Sequence, residues 1–533
     1  MLARTMSNAL RFGVGLVGGM GLMVVVGFTA ASDARPRATS GALARRSSAV
    51  KRALPRARAE PPSEVTVDDS IGLNLESEAT PSAAPSAEVA PSPSPEKISD
   101  PSWMQPPRLA DWEPTYVRAP THKIPRHILR PPANFPLIVQ ARTFNAPIYA
   151  QPRALPYPVG HAWWGALIPA RRVAANPECG DGDNSGHWLE VPGNGYVCTA
   201  ADFKASNSLA SLQQHHPEPA VWRPSPFTFA RVIEDGAPRL ARFPSAIEHA
   251  ALEQAAAPGA GETLDDLVVE WMEGDFFLAL EALEQKDGRR YYRSVSGEYV
   301  RVDAVEVRPA PEFFGEHVDA DSLPLAFVYG SERVPLLCGD SPAADACGAV
   351  HKHVRFPLKT EPPLDTSKVV ETPDERFVAR QHVRIAARID RPAGVPSGAK
   401  WVHIDLSEQT LVAYEDERPV YATLVSTGKA GHETPTGLYR TQRKYVSTTM
   451  RGRDPVEGTY HVEQVPWTLY YNGAYAVHAA YWHDDFGKVR SHGCTNLAPA
   501  DARWLFHWSS LELPTGWHAV LGRPGTYFYF TRD

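Results

Sequence analysis

The apolar positions of the chain follow two patterns. From Phe12 to Ala31 they form one continuous run without a charge. Beyond about residue 139, short stretches alternate apolar and polar residues between Gly, Pro and Asp breaks, which is typical of β-strands. "NLAPADARWLFHWSS" (496–510) instead predicts a turn that enters a helix, because Pro499 suits a first turn and Leu505 and Trp508 share an apolar face. The pattern predicts a mainly β protein.

The apolar run at the N-terminus is typical of an export signal. Arg4 and Arg11 precede it, and small residues follow it in "FTAASDA". We expect a signal peptide over residues 1–31, cleaved after Ala31 or Ala34, or else an uncleaved membrane anchor, since about 20 apolar residues just span a bilayer. Either case predicts that the rest of the chain lies in the periplasm or cell envelope, where disulfides persist.

Residues 32–138 have few apolar positions and are rich in Ala, Pro and Ser. The whole chain has 50 prolines among 533 residues, and "ATPSAAPSAEVAPSPSPEK" is the densest stretch of this region. Such a composition cannot bury enough apolar surface to offset chain entropy. We expect a disordered, extended linker.

Residues 139–310 contain a weak internal repeat. "HWLEVPGNGYVC" (187–198) and "RYYRSVSGEYVRV" (290–302) share aromatic, Val, Gly and Tyr-Val positions. The pattern resembles bacterial SH3-like modules, which implies one or two small β modules here, acting as wall-polymer binders or as inert spacers. Residues 311–398 show further alternation, as in "LPLAFVYG", and predict a β-rich accessory region without a readable function.

The overall charge is mildly acidic. A net charge of −7 and a pI near 6.3 supply no basic field of the kind that nucleic-acid binding requires. We therefore expect no nucleic-acid partner.

The five cysteines divide into two local pairs and one remainder. Cys179 and Cys198 flank one candidate hairpin region, and Cys338 and Cys347 bracket the turn-rich "GDSPAADA". In an oxidising compartment we expect disulfides Cys179–Cys198 and Cys338–Cys347. Cys494 would then be the free thiol.

Two histidines of interest precede Cys494 in the sequence. His492 precedes it by two residues in "SHGC", and His478 lies sixteen residues before it in "YAVHAAYW", a predicted strand after a turn at Asn472-Gly473. A thiolate is the nucleophilic form of cysteine, and an adjacent imidazolium lowers the thiol pKa. We therefore expect a reactive thiol facing His478.

Two other interpretations of Cys494 remain open at this point. Cys494, His492, His478 and His483 could fill a tetrahedral zinc site, although a His-x-Cys spacing is not a common ligand pattern. Cys494 could also be a buried, inert thiol.

The stretch "VHAAYWHDDFGKVRSHGCTNL" closely resembles the active-site signature of the L,D-transpeptidase (YkuD-type) family, in which a histidine, twelve further residues and S-H-G-C-x-N recur. "KWVHIDLSEQTLVAYEDERPVYATLVSTGKAGHETPTGLYR" is similar to the family's opening strands with their S-T-G and T-P-T-G turns. The resemblance implies a catalytic domain over residues 399–525, a curved β-sandwich with a short helix after the cysteine.

The resemblance also implies roles for individual residues. Cys494 would be the nucleophile, His478 its general base, and the carbonyl of Ala479 the group that orients the imidazole. Backbone N–H groups of Gly493 and Cys494 would form the oxyanion hole. His483 would be structural. The residues that would shape the site and bind the donor peptide are Ser491, His492, Asn496 and Trp482.

The implied reaction uses neither a metal nor an organic cofactor. Cys494 would release D-Ala from a peptidoglycan stem tetrapeptide, and an amine of another stem would take the resulting thioester to give a 3→3 cross-link. Water or a protein lysine as acceptor would make the same site a carboxypeptidase or a wall-protein anchoring enzyme. A non-catalytic wall-binding scaffold is the alternative of a different class. We expect a monomer whose partners are stem peptides.

Overall fold

The computed structural model describes residues 104, 106, 108, 132–181, 184–208, 212, 218–254, 264, 266–359, 365, 367–454 and 458–532. The predicted signal peptide or anchor and nearly all of the predicted linker lie outside these residues. The described part is mainly β, as the apolar pattern predicts. Neither of its two α-helices is long and apolar enough to cross a membrane.

The first two groups of strands precede residue 310. Module I comprises residues 137–206, and its strands are β1 Leu137–Ala141, β2 Ala146–Ile148, β3 Gly160–Ala162, β4 Leu167–Arg172, β5 Glu178–Cys179, β6 Gly186–Val191, β7 Gly195–Cys198 and β8 Phe203–Ser206. Module II comprises residues 228–308, and its elements are β9 Thr228–Val232, β10 Ala237–Leu240, α1 Ala246–Gln254, β11 Val268–Met272, β12 Asp275–Lys286, β13 Arg289–Ser294, β14 Tyr299–Arg301 and β15 Val305–Arg308.

The other two groups complete the described chain. Module III comprises residues 316–386, with strands β16 Glu316–His317, β17 Leu325–Val328, β18 Arg333–Leu337, β19 Ala346–His351, β20 Arg355–Pro357, β21 Val369–Glu371, β22 Phe377–Ala379 and β23 Val383–Ala386. The C-terminal domain has β24 Lys400–Asp405, β25 Thr410–Glu415, β26 Arg418–Leu424, β27 Gly437–Arg440, β28 Arg443–Asp454, β29 Gly458–Asn472, β30 Tyr475–Ala479, β31 Thr495–Leu497, α2 Pro499–Trp508, β32 Ala519–Leu521 and β33 Tyr527–Thr531.

The two copies of the weak repeat are both antiparallel hairpins, β6–β7 and β13–β14. Alternating Val, aromatic and Gly positions explain this, since one face of each hairpin packs inward while glycines make the turns. The assignment of modules I and II as SH3-like, and the domain boundaries drawn from the sequence, stay predictions.

The C-terminal domain is a sandwich of two sheets. One has the order β16-β26-β25-β24-β33-β27, and the other contains β28 to β31. Their inner faces share one core, to which Ile404, Trp467 and Phe528 contribute from strands and Leu505 and Trp508 from α2. Burying each such side chain stabilises the fold by about 1.5–3 kcal/mol. The helix covers the end of the core beside β29 and β30, as the apolar face of "NLAPADARWLFHWSS" predicts.

All three modules join the C-terminal domain by strand pairing rather than by linkers alone. β3 of module I pairs with β32, β12 of module II runs parallel to β29, and β16 of module III pairs with β26. The sequence, with its Pro and Gly breaks, gave no sign of this continuity. Backbone hydrogen bonds therefore hold the accessory modules against the C-terminal domain.

The structure contains two disulfides, Cys179–Cys198 and Cys338–Cys347, with Cα–Cα distances of 5.9 Å and 5.6 Å. Cys494 is the free cysteine. Cys179 ends β5 and Cys198 ends β7, whereas Cys338 directly follows β18 and Cys347 lies near the start of β19.

We expect one titratable thiol per molecule of oxidised native protein, because four of the five cysteines are paired. Titration with a thiol reagent, followed by mass spectrometry of the linked peptides, measures this. A peptide linking Cys494 to any other cysteine in the native protein would contradict both the pairing and a catalytic role for the thiol.

Candidate active site

His478 lies on β30, and Cys494 directly precedes the neighbouring strand β31. β30 and β31 pair in parallel, with His478 opposite Asn496. Alternate residues of an extended chain point to the same face, so Cys494, two residues before Asn496, faces the side on which His478 lies. Both side chains line the same cleft. The structure therefore brings together the two residues that the motif singles out.

The loop that carries Cys494 is held by the segment 426–434, which contains the S-T-G turn. Ser426 and Asn496 exchange two backbone hydrogen bonds, with N–O distances of 2.9 Å and 2.8 Å. The N–H of Lys429 donates to the carbonyl of Ser491 at 3.0 Å. These bonds join backbone groups, so they do not depend on the side chains of either segment. They hold the cysteine loop against the segment 426–434.

Gly493 shapes this loop, and its role as an oxyanion donor stays a prediction. Its N–H donates to Oγ of Ser491 at 3.1 Å, and that hydroxyl donates to the carbonyl of Cys494. The backbone at Gly493 has φ +113°, and a Cβ there would lie 2.6 Å from Cε1 of Tyr475. Only glycine fits.

His478 is buried and has one defined tautomer. Its Nδ1 lies 3.1 Å from the carbonyl oxygen of Ala479, the contact that the resemblance implies. A carbonyl only accepts, so Nδ1 carries the proton and Nε2 has the free lone pair. His478 is thus set up to accept a proton through Nε2.

Desolvation shifts the pKa values of the Cys494 thiol and the His478 imidazole in opposite directions, and both shifts favour the neutral form. Burial raises the pKa of Cys494 to about 11, and a backbone hydrogen bond from Ala476 offsets only part of this effect. Burial also lowers the pKa of His478 to about 4, although its bond to Ala479 acts in the opposite direction. Desolvation disfavours the charged form of both groups. The proton must therefore leave the sulfur as the sulfur attacks.

Asn496 is held by His483, which lies beneath the site. The N–H of Asp485 donates to Nδ1 of His483 at 3.2 Å. Nδ2 of Asn496 lies 2.9 Å from Nε2 of the same ring. His483 is buried and contacts a residue of the cleft, and its structural role stays a prediction.

The cleft has a volume of about 760 Å³. Its C-terminal-domain wall includes all of the residues singled out in the sequence except Gly493, Ala479 and His483. These lining residues are His478, Trp482, Ser491, His492, Cys494 and Asn496.

Two aromatic rings form the sides of the cleft. Trp482 lies with its ring centroid 5.8 Å from His478 and 6.2 Å from Phe277 of module II, so it is both a wall residue and part of the packing between the two units. His492 is exposed, and its ring stacks on Tyr460 with centroids 5.1 Å apart. Both residues line the cleft that contains the thiol.

The zinc site considered for Cys494 is not assembled. Within the described ranges, one group of potential ligands has atoms within 4.8 Å of one another, and it consists of His432, Asp454 and His492. Nε2 of His432 already lies 2.8 Å from Oδ2 of Asp454. Cys494 does not belong to this group.

Sequence reasoning missed the side of the cleft that module II provides. Module II contributes Arg231, Asp275, Phe277 and Arg308 to the lining. The other lining residues belong to the C-terminal domain, and they are Lys429, Met450, Tyr460, Val462, Val465, Ala474, Tyr475, Val489 and Arg490. The sequence feature closest to a signal for these residues is the alternation of charged and aromatic residues in "FARVIEDG". That alternation does not indicate which strand lies beside it in the sheet.

Comparison with known proteins identifies the C-terminal domain. Residues 399–521 match the family model described as the L,D-transpeptidase catalytic domain, YkuD. No curated protein sequence matches the chain.

Similar solved structures include three L,D-transpeptidases. One from Stackebrandtia nassauensis has 24% identity over 26% of this chain and 58% of its own, with a TM-score of 0.19. The catalytic domain of the E. faecium enzyme has 21% identity over 25% and 98%, with a TM-score of 0.21. The enzyme from Mycobacterium smegmatis has 17% identity over 43% and 90%, with a TM-score of 0.21. The chain thus spans little more than half of the first of these.

The neutral resting pair predicts how alkylation of Cys494 by iodoacetamide depends on pH. With a thiol pKa of about 11, the rate should be low at pH 7 and rise about tenfold per pH unit up to pH 9.5, because only the thiolate reacts. Intact mass measured over time follows the reaction, and Cys494→Ala is the control. A rate that stays constant between pH 6 and pH 8 would instead indicate a thiolate–imidazolium pair.

Proposed function

Because residues 399–521 form a YkuD-type L,D-transpeptidase catalytic domain, we propose that the protein is a peptidoglycan L,D-transpeptidase whose nucleophile is Cys494. The observation that carries the proposal is the tautomer of His478. With Nδ1 held by the carbonyl of Ala479, Nε2 is a base in the same cleft as the free thiol. A metal-free acyl transfer needs this pair and a groove for a peptide.

The first half-reaction forms a thioester. As Sγ of Cys494 attacks the carbonyl between the third, diamino residue of a stem tetrapeptide and its terminal D-Ala, Nε2 of His478 takes the thiol proton. The N–H of Cys494 stabilises the oxyanion that develops. When the C–N bond breaks, the imidazolium returns the proton to the nitrogen of D-Ala, which leaves as a neutral amine.

The second half-reaction transfers the acyl group. The side-chain amine of another stem attacks the thioester, His478 accepts its proton, and the thiol of Cys494 is released together with a 3→3 cross-link. Water as acceptor would yield a tripeptide, and a protein lysine would yield a wall-anchored protein. In the alternative of a wall-binding scaffold, the thiol would have no acyl donor.

The remaining features support an enzyme of the cell envelope. An export segment, two disulfides and a Pro-rich linker suit a protein that reaches stem peptides outside the cytoplasm. Ser491, His492, Asn496 and Trp482 would contact the donor stem. We propose that the enzyme acts as a monomer, without a metal, cofactor or nucleic acid.

Incubation with disaccharide-tetrapeptide tests the function directly. We expect a mass increase on Cys494, loss of D-Ala, and dimers linked between two diamino residues, whereas a pentapeptide stem should be a poor donor. A carbapenem should acylate Cys494 and block these products. Intact mass and chromatography of the products measure each outcome.

The same experiment separates the alternatives. Tripeptide without dimers would indicate a carboxypeptidase, because water would then be resolving the thioester. Absence of both adduct and D-Ala release, equal to the result with Cys494→Ala, would leave the scaffold and refute the proposal.

Removing the base should separate His478 from its neighbour. His478→Ala is expected to lower D-Ala release by about 10²- to 10⁴-fold, because the thiol loses its proton acceptor. His483→Ala should cost much less, since His483 only orients Asn496. Steady-state rates and circular dichroism of both variants measure activity and folding, and the reverse order of effects would contradict the assignment of the base.

A further inference from the structure

One side of the cleft belongs to module II, a unit outside the catalytic domain. The side chains of Arg231, Asp275, Phe277 and Arg308 line the same cavity as Cys494. Arg231 is on β9, Asp275 and Phe277 are on β12, and Arg308 ends β15. A peptide bound at the thiol would therefore touch the accessory module.

Strand register explains why these side chains face the cleft. Phe277 lies opposite Arg231, and Phe229 lies opposite Arg308, so the two arginines and two phenylalanines share one face of the sheet. The same face continues into the C-terminal domain, because Phe277 also lies opposite Val462 of β29. The wall is one sheet surface that crosses from module II to the catalytic domain.

Buried contacts fix this wall in position. Arg239 of module II is buried and forms ion pairs with Glu463 of β29 and with Glu270 and Glu298, the latter two at 2.7 Å and 3.1 Å. The ring of Phe229 stacks on Tyr481 with centroids 3.5 Å apart. Breaking a buried ion pair leaves an uncompensated charge, so module II stays docked. It acts as a permanent part of the site.

Basic side chains outnumber acidic ones among the residues that line the cleft, although Arg490 also pairs with Asp485. Arg231 and Arg308 come from module II, while Lys429 and Arg490 come from the C-terminal domain; Asp275 is the one carboxylate among the described lining residues. Arg231 pairs with Asp275 at 3.1 Å and Arg308 pairs with Glu306 at 3.1 Å, and all four side chains are largely exposed. Exposed ion pairs contribute little, so an incoming carboxylate can replace either partner.

We propose that Arg231 and Arg308 bind free carboxylates of the stem peptide, and that the enzyme therefore selects stems whose carboxylates are not amidated. The inference rests on the proposed function and names the substrate class of that site. A guanidinium presents two parallel N–H donors to a carboxylate, whereas an amide supplies one acceptor and no charge. Phe277 lies opposite Arg231 in the β9–β12 pair, and both side chains line the cleft.

Two synthetic tetrapeptide stems test the proposal, one with free side-chain carboxylates and one with those groups amidated, and the terminal D-Ala keeps its free carboxylate in both. For the intact protein, we expect kcat/KM for D-Ala release to be roughly 10-fold or more higher with the acidic stem, since hydrogen bonds to charged groups are the stronger ones. The preference should reside mainly in KM. In the double variant Arg231→Gln, Arg308→Gln, the ratio should fall to about one.

Matched variants make the result specific. Arg418→Gln removes an exposed arginine outside the cleft and should keep the ratio of the native protein. The double variant Arg231→Lys, Arg308→Lys keeps the charge without the paired donors and should give an intermediate ratio. Because each variant is compared on two stems, a partial loss of folding lowers both rates and leaves the ratio interpretable.

The outcomes distinguish the inference from the proposed function. If the native protein releases D-Ala from both stems at similar kcat/KM, or if the glutamine variant keeps the native preference, the inference is wrong while the transpeptidase proposal stands. If the native protein releases D-Ala from neither stem, the proposed function fails and the inference fails with it.

Discussion

The parallel pairing of β30 with β31 is the constraint on which the site depends. His478 and Asn496 face each other across it, and Cys494 follows from the same register. A slip of one residue would turn His478 to the opposite face of the sheet and bury it away from the thiol. The loop between these strands must therefore be fixed, and the backbone bonds from Ser426 and Lys429 fix it.

Much of the C-terminal domain follows from short-range signals. Asn472-Gly473 ends a strand, Pro499 opens a helix, and "SHGCTNL" has one dominant interpretation because its residues act through backbone neighbours. The pairing of the cysteines is equally local, since each partner lies within about twenty residues of the other. Interactions between residues that are close in sequence could therefore be predicted from the sequence.

The parts that the sequence did not predict depend on distant contacts. Nothing near Arg231 or Arg308 indicates that β12 runs beside β29, because a parallel pairing between different units leaves no pattern in either strand. The pKa of Cys494 is another example: proximity of histidines suggested a lowered value, yet burial controls it and raises it. The hydrogen bond of the Gly493 N–H is a third example, because it depends on the position of the Ser491 hydroxyl that accepts it.

The pairing of β3 with β32 and of β12 with β29 has a consequence for how a peptide can be held. In the order β12-β29-β28-β32-β3, the two outer strands belong to the accessory modules, so β29 and β32 each pair with a module strand on one side and with β28 on the other. An exposed strand edge has unpaired N–H and C=O groups, which can pair with other molecules and cause aggregation. An extended peptide can also bind such an edge as an added strand. Along the length where the modules pair, that mode of recognition is closed. A peptide substrate of the proposed kind would have to be recognised there by side chains, which can distinguish one chemical form of a peptide from another.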